Sequence, residues 1–330
     1  GKVVVYSFTS RIFTVEEAFE AKYPEIDLEA FDISSTEQIA RITSEMEAGV
    51  RNADIAYLSD APVVLEELVA PGYLTTYIPA EFAERIPDEF ETSILGHRLS
   101  TKVLMYNEAA YPDGSPITNI WQLTTEDWTG KVVMVDPLVR GDYLDLMTNF
   151  VIHADEMAAA YEAQIGEALP EDVNAGEKFI EDLFANDLIL VNNTDAVNSA
   201  VGAIDQENPL VGFTSYSDRR DNEDEGWALQ IANDVEPATG IVFPVYLGVL
   251  RDAPHPAAAQ LLIHFMMGDD SENGGVALEP FYVAGDYLTR TDIPPHPDAV
   301  SLDDLNAWRL DAEETLELRQ EVADLILLLQ

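Results

Sequence analysis

The first sixty residues constrain the fold most. Short apolar runs at 3–6, 26–31 and 54–58 alternate with amphipathic stretches at 15–23 and 36–48, and that alternation reads as a βαβαβ opening. Strands joined through helices run parallel, so this pattern predicts a parallel sheet with helices on both faces and ligands outside the carboxyl ends of its strands. The punctuation agrees with it. Thr14 ahead of Glu17, and Ser35 or Thr36 ahead of Glu37, offer N-cap chemistry, Gly49 closes the second helix, and a third helix at 61–70 stops at Pro71-Gly72.

A second α/β pattern follows. An apolar strand at 99–106 precedes another at 130–137, then come helices at 143–153, 154–165 and 177–184, a strand at 188–191, a helix at 195–203 and a strand at 211–213. The run 221–226, with four carboxylates, reads as a solvated turn. Beyond it are a strand at 241–250, a helix at 255–267 introduced by Pro254 and Pro256, and a mostly helical tail from 305. A chain of 330 residues suits two lobes, and with 47% hydrophobic residues each can bury its own core.

Charge and composition remove several functions. Sixty-two acidic side chains against 17 basic ones give a formal charge of -45, which repels both a phosphate backbone and an anionic lipid surface. With no cysteine, disulfides, thiolate metal sites and a cysteine nucleophile are excluded. The longest apolar run, near 240–250, falls short of the ~20 residues of a bilayer span and contains Pro244. The chain enters a strand at once, so any export signal is expected to have been removed or never present. Five lysines stand against twelve arginines. A lysine-poor, acidic surface suits high salt, where the Debye length at 1 M is about 3 Å and self-repulsion is screened; the other reading is simply an acidic exported protein.

Several stretches together carry a family resemblance: 3–6 with the polar loop after it, the run from Phe31 to Arg41 (FDISSTEQIAR), Asn52-Ala53-Asp54-Ile55-Ala56-Tyr57, Ile120-Trp121-Gln122-Leu123 with Trp128-Thr129-Gly130-Lys131, Asn192 to Val197 (NNTDAV), 240–250 with the Ala253-Pro254-His255-Pro256 run, and Ala284-Gly285-Asp286-Tyr287. In this order over nearly the whole chain, the set resembles the extracellular solute-binding proteins of ABC importers, in the branch that includes the ferric-ion-binding proteins. The resemblance implies an α/β, two-lobed type II periplasmic-binding-protein fold, each lobe a central β-sheet flanked by helices. Two crossover strands, at 99–106 and 241–250, would join the lobes. Residues 1–100 with about 246–300 would form the first lobe and about 104–240 the second, with 301–330 as C-terminal helices packing on the lobes. It also implies an extracytoplasmic location, periplasmic or lipid-anchored at the cell surface, a monomer, hinge closure on a small solute, and a membrane permease as partner.

The ferric branch resembles a tyrosine-rich oxygen site completed by a His and an acidic residue. Here the loop after the first strand is Ser7-Phe8-Thr9-Ser10-Arg11, without a His, and the region matching the paired tyrosines is Thr214-Ser215-Tyr216-Ser217. One phenol with Asp60 offers few anionic oxygens for a hard metal. A polar organic anion fits better. Ser35 and Thr36 sit at a helix N-terminus, where free N–H groups attract anions, and Thr9 and Ser10 lie on the neighbouring loop. Arg140, Gly141 and Asp142 follow a strand and open a helix where the family often has a hydroxyl-glycine turn, and a guanidinium clamps a carboxylate or phosphate bidentately. Asn193, Thr194 and Tyr216 sit on loops after second-lobe strands. Each has a plainer use as well: Ser35, Thr36, Asp60, Asn193 and Thr194 are placed to cap helices, and Arg140 to pair with Asp142 or Asp145.

The five histidines share no metal-ligand spacing. The run from Asp269 resembles the start of an EF-hand, but its twelfth position is Pro280 in place of a glutamate. There is no P-loop, G-x-G-x-x-G or G-x-S-x-G. The expectation is a non-catalytic receptor without metal or cofactor, taking a phosphate-, phosphonate- or carboxylate-bearing solute. The alternatives are ferric iron with a synergistic anion, and an enzyme on the same two-lobed architecture.

Overall fold

The computed structural model describes residues 1–91 and 93–330. The chain opens with β1 (Lys2–Ser7), α1 (Ile12–Lys22), β2 (Asp27–Asp32), α2 (Ser35–Glu47), β3 (Ile55–Leu58) and α3 (Ala61–Val63), which continues as a π-helical turn, Val64–Val69. Then come β4 (Leu74–Thr75), β5 (Leu95–Asn107), β6 (Val132–Val135), α4 (Gly141–Ile152), α5 (Ala154–Ile165), α6 (Ala175–Ala185), β7 (Ile189–Val191), α7 (Thr194–Gly202), β8 (Val211–Thr214) and α8 (Asn222–Glu225). The last elements are β9 (Leu229–Ile231), β10 (Gly240–Leu250), α9 (Pro256–Met266), β11 (Tyr287–Leu288), β12 (Trp308–Arg309) and α10 (Ala312–Leu329). They group into two compact units, Gly1–Leu99 with Phe243–Ala299, and Ser100–Val242 with Val300–Gln330. The chain passes between them inside β5, inside β10, and again after Ala299.

The first unit follows the opening pattern. β1 pairs in parallel with β2 on one side and β3 on the other, and β3 pairs antiparallel with β10. α1 buries Ile12, Val15 and Phe19, an i, i+3, i+7 stripe, and Phe19 meets Phe265 of α9 with ring centroids 5.4 Å apart. α2 buries Ser35, Ile39, Ile42 and Met46 on one face. α1 begins at Ile12, so Thr14 lies within its first turn and the cap expected there does not form; Arg11 holds the cap position without a side-chain bond.

The second unit repeats the plan. β6 pairs in parallel with β7 and β8, and β8 pairs antiparallel with β5. α4 is buried along most of its length. α6 approaches it so closely that a Cβ on Gly176 would lie 2.0 Å from the Phe150 carbonyl oxygen, and only glycine permits such a backbone approach. On another side is α10, where Asn149 donates to Thr315 Oγ1 (3.3 Å) and Arg319 pairs with Asp145 (3.0 Å). The run expected as a turn at 221–226 forms the single turn α8, closed by Gly226 at φ 68°.

Candidate functional site

On the first unit, the turns leaving β1, β2 and β3 share the carboxyl edge of three adjacent parallel strands. Thr9 and Ser10 follow β1. Ser7 Oγ donates to the Thr9 carbonyl (2.9 Å), and Thr9 Oγ1 accepts from Arg11 Nε (3.4 Å). The α2 cap is Ser34, whose hydroxyl accepts from Glu37 N (3.2 Å). Ser35 therefore turns elsewhere, and its hydroxyl lies 3.0 Å from Ser59 Oγ and accepts from Ser59 N (3.1 Å), tying α2 to the turn after β3. Thr36 is exposed. Asp60 is buried with a left-handed backbone (φ 71°, ψ 52°), and its carboxylate does not cap the helix that follows. A non-glycine residue held in that region carries strain of order 1–3 kcal/mol, a feature concentrated at ligand sites and switches.

Beneath this edge lies a polar network that the sequence alone does not assemble. Asp286 accepts from both Arg11 Nη1 (2.5 Å) and Arg98 Nη1, and Arg11 also donates to the Pro280 carbonyl (3.1 Å). Arg98 Nε donates to Tyr57 Oη (2.9 Å), Tyr57 donates to His97 Nδ1 (2.8 Å), and His97 Nε2–H donates to the Met266 carbonyl (3.0 Å). Burial, reinforced by the Arg98 charge, pushes His97 down to about 3, so it is neutral and the hydrogen-bond directions are fixed. The network holds the Thr9 loop through Arg11. Tyr57, in β3, is fully buried and is a core residue.

On the second unit, the turns leaving β6, β7 and β8 again share one carboxyl edge. Gly141 and Asp142 open α4, and Arg140 precedes it. Arg140 Nε is 3.2 Å from Asp142 Oδ1, and Arg140 Nη1 donates to Thr194 Oγ1 (2.8 Å). Asp145 pairs with Arg319. The Arg140 side chain is 29% exposed. Asn193 caps α7, its side chain accepting from Ala196 N (2.9 Å). Tyr216 is buried, its backbone N donating to Thr101 Oγ1 (3.0 Å) and its hydroxyl accepting from Val300 N (3.2 Å).

Two residues that sequence does not single out for the site stand at these edges, Lys102 and Asp286. Lys102 has one legible signal, a rare lysine inside an apolar strand. Asp286 has none beyond its place in a family motif, because its two arginine partners are distant in sequence. Among the described residues, no group of three or more His, Asp or Glu side chains is arranged to hold a metal ion, and no helix is long and apolar enough to cross a membrane.

Two α/β units of matching plan, each with polar turns at the carboxyl edge of its parallel strands, define a solute-binding protein of type II periplasmic binding fold. The family model for bacterial extracellular solute-binding proteins matches residues 14–273, and the chain belongs to that family. Among solved structures, iron-bound HitA from Pseudomonas aeruginosa superposes with a TM-score of 0.76 at 18% identity, covering 99% of each chain. AfuA from Actinobacillus pleuropneumoniae, with fructose-6-phosphate bound, gives 0.71 at 17% identity over 98% of this chain and 97% of that one. AgtB from A. tumefacien R10, in complex with agropinic acid, gives 0.69 at 15% identity over 99% of both. No curated protein matches the chain. Proteins of this family carry solutes to ABC transporter permeases in extracellular or periplasmic locations, and they are transport proteins.

Proposed function

We propose that this protein is a non-catalytic, extracytoplasmic receptor that binds a small organic anion bearing a phosphate, phosphonate or carboxylate and delivers it to an ABC permease, with hinge closure as the capture step. The observation that carries this reading is Arg140. Its side chain stands at the N-terminus of α4, held by Asp142 and Thr194 and partly exposed, and helix dipole and guanidinium both favour an anion there. Gly141 N, Thr194 and Asn193 would complete the contacts on this unit. The AfuA and AgtB complexes, with a sugar phosphate and an organic acid, support this solute class for the fold.

The test is calorimetry and thermal unfolding with fructose 6-phosphate and other phosphate and carboxylate solutes at fixed ionic strength. Stoichiometric binding without turnover is expected, with stabilisation of about 2.7 kcal/mol at a hundredfold excess over Kd. Arg140→Ala should weaken binding by about 1.5–3 kcal/mol, the range for a charge-assisted hydrogen bond, or roughly tenfold to over a hundredfold in Kd. Unchanged affinity would confine Arg140 to its pair with Asp142. Ferric loading should leave the concentrated protein colourless, whereas a phenolate-to-iron absorption band would establish the ferric alternative.

A further inference from the structure

Lys102 is a cation buried in β5, with its side chain only 2% exposed. Its ammonium lies 3.0 Å from Asp142 Oδ2, donates to Ser215 Oγ (2.7 Å), and sits 5.0 Å from the Tyr143 ring centroid. Asp142 is therefore held between two cations, Lys102 and Arg140. Burial favours its protonation, but the Arg140 and Lys102 charges outweigh that and keep it ionised below the usual carboxylate range. The other carboxylate facing the group, Asp218, is engaged by Arg220 (2.8 Å), Asn198 (2.9 Å) and Thr214 (3.3 Å), and Arg220 also pairs with Asp221 (3.0 Å). Tyr143, in the first turn of α4, carries a wholly buried hydroxyl beside Thr194 that makes no hydrogen bond of ordinary geometry among the described residues.

Burying an ammonium costs several kcal/mol unless a counter-charge is in contact, and an apolar residue of like volume is often as stable. If Arg140 alone faced Asp142, the two would cancel and the guanidinium would have little charge left for a solute. With Lys102 also in contact with Asp142, that carboxylate is shared between two cations and Arg140 does not neutralise it alone.

We infer that Lys102 is a positioning and specificity-determining residue for the anion site, a buried counter-cation that satisfies Asp142 and so keeps the Arg140 charge available to a phosphate or carboxylate group. This rests on the anion-receptor reading. Lys102→Met should weaken fructose 6-phosphate or inorganic phosphate binding at least about tenfold at fixed ionic strength, and the double variant Lys102→Met/Asp142→Asn should regain at least about tenfold over the single one by the logic of a double-mutant cycle. Loss of a packing lysine alone would not be reversed by removing a carboxylate. Should the single variant fail to fold, the double variant, free of the uncompensated buried charge, decides the matter by binding or not binding. Wild-type binding with Lys102→Met unaffected, or a double variant that folds without regaining affinity, overturns the inference alone. No binding of either probe by the wild-type protein overturns the anion reading and this inference together.

Discussion

Raising KCl from about 0.05 M to about 2 M should raise the unfolding midpoint by at least about 10 °C, equivalent to a few kcal/mol at roughly 2–4 °C per kcal/mol. The cause is the 62 acidic side chains facing only 17 basic ones. The Debye length falls from about 10 Å at 0.1 M to about 3 Å at 1 M, so repulsion between surface carboxylates several ångströms apart is largely removed. Ion pairing offers little relief on its own. Of the cations, Lys102 and Arg98 are buried in local networks, while exposed pairs such as Lys2–Glu29 are screened by solvent and contribute little. α10 shows the problem on one element, where Glu313, Glu314, Glu317, Glu321 and Asp324 follow one another along the helix and Arg319 is turned to Asp145. Scanning calorimetry across a KCl series is the measurement. A flat or falling midpoint would show that the surface charge is too dispersed to strain the fold and would remove the case for salt adaptation.

At high salt, with that repulsion screened, the protein should lose stability on acidification from about pH 6.5, by about 1.4 kcal/mol per pH unit from His97 alone. The sign follows from the direction of the shift. His97 is lowered from 6.5 to about 3 in the folded state, so between those values the unfolded chain binds a proton that the folded chain refuses, and stability falls as pH falls. The contribution is intact above the unfolded value. Protonation would place a second charge beside Arg98 and turn Nδ1 from the acceptor of the Tyr57 hydroxyl into a donor facing it. Asp142 and Asp218, both held below their usual range by neighbouring cations despite burial, add losses of the same sign once pH drops into the carboxylate range. Urea unfolding at pH 7 and pH 5 should show a drop of about 2 kcal/mol in the wild-type protein, largely absent in His97→Gln. An equal pH slope in both proteins would assign the acid sensitivity to the carboxylates.

The elements that were legible are those whose signal is local. The order β1-α1-β2-α2-β3 could be read because apolar periodicity switches between two and 3.6 within a few residues, with Gly49 and Pro71-Gly72 as stops. Arg140 at the turn before α4 was visible for the same reason: strand, polar turn and helix follow one another directly. Caps were less exact. Ser34, Ser35 and Thr36 are equivalent in sequence, and the choice of Ser34 was made by Ser35 turning toward Ser59, 24 residues away.

Local pattern and simple sums over the chain were enough for the alternation of strands and helices, the acidic surface, the exclusion of thiol chemistry and the polar turns after the strands, because each depends on neighbouring residues or on composition. Folding in three dimensions was needed to bring Asp286 to Arg11 and Arg98 across more than 180 residues, to make His97 a neutral relay, and to set Lys102 under Asp142. Those assignments depend on which strands become neighbours and how completely water is excluded between them, since burial turns an ordinary charged side chain into one that must find its partner.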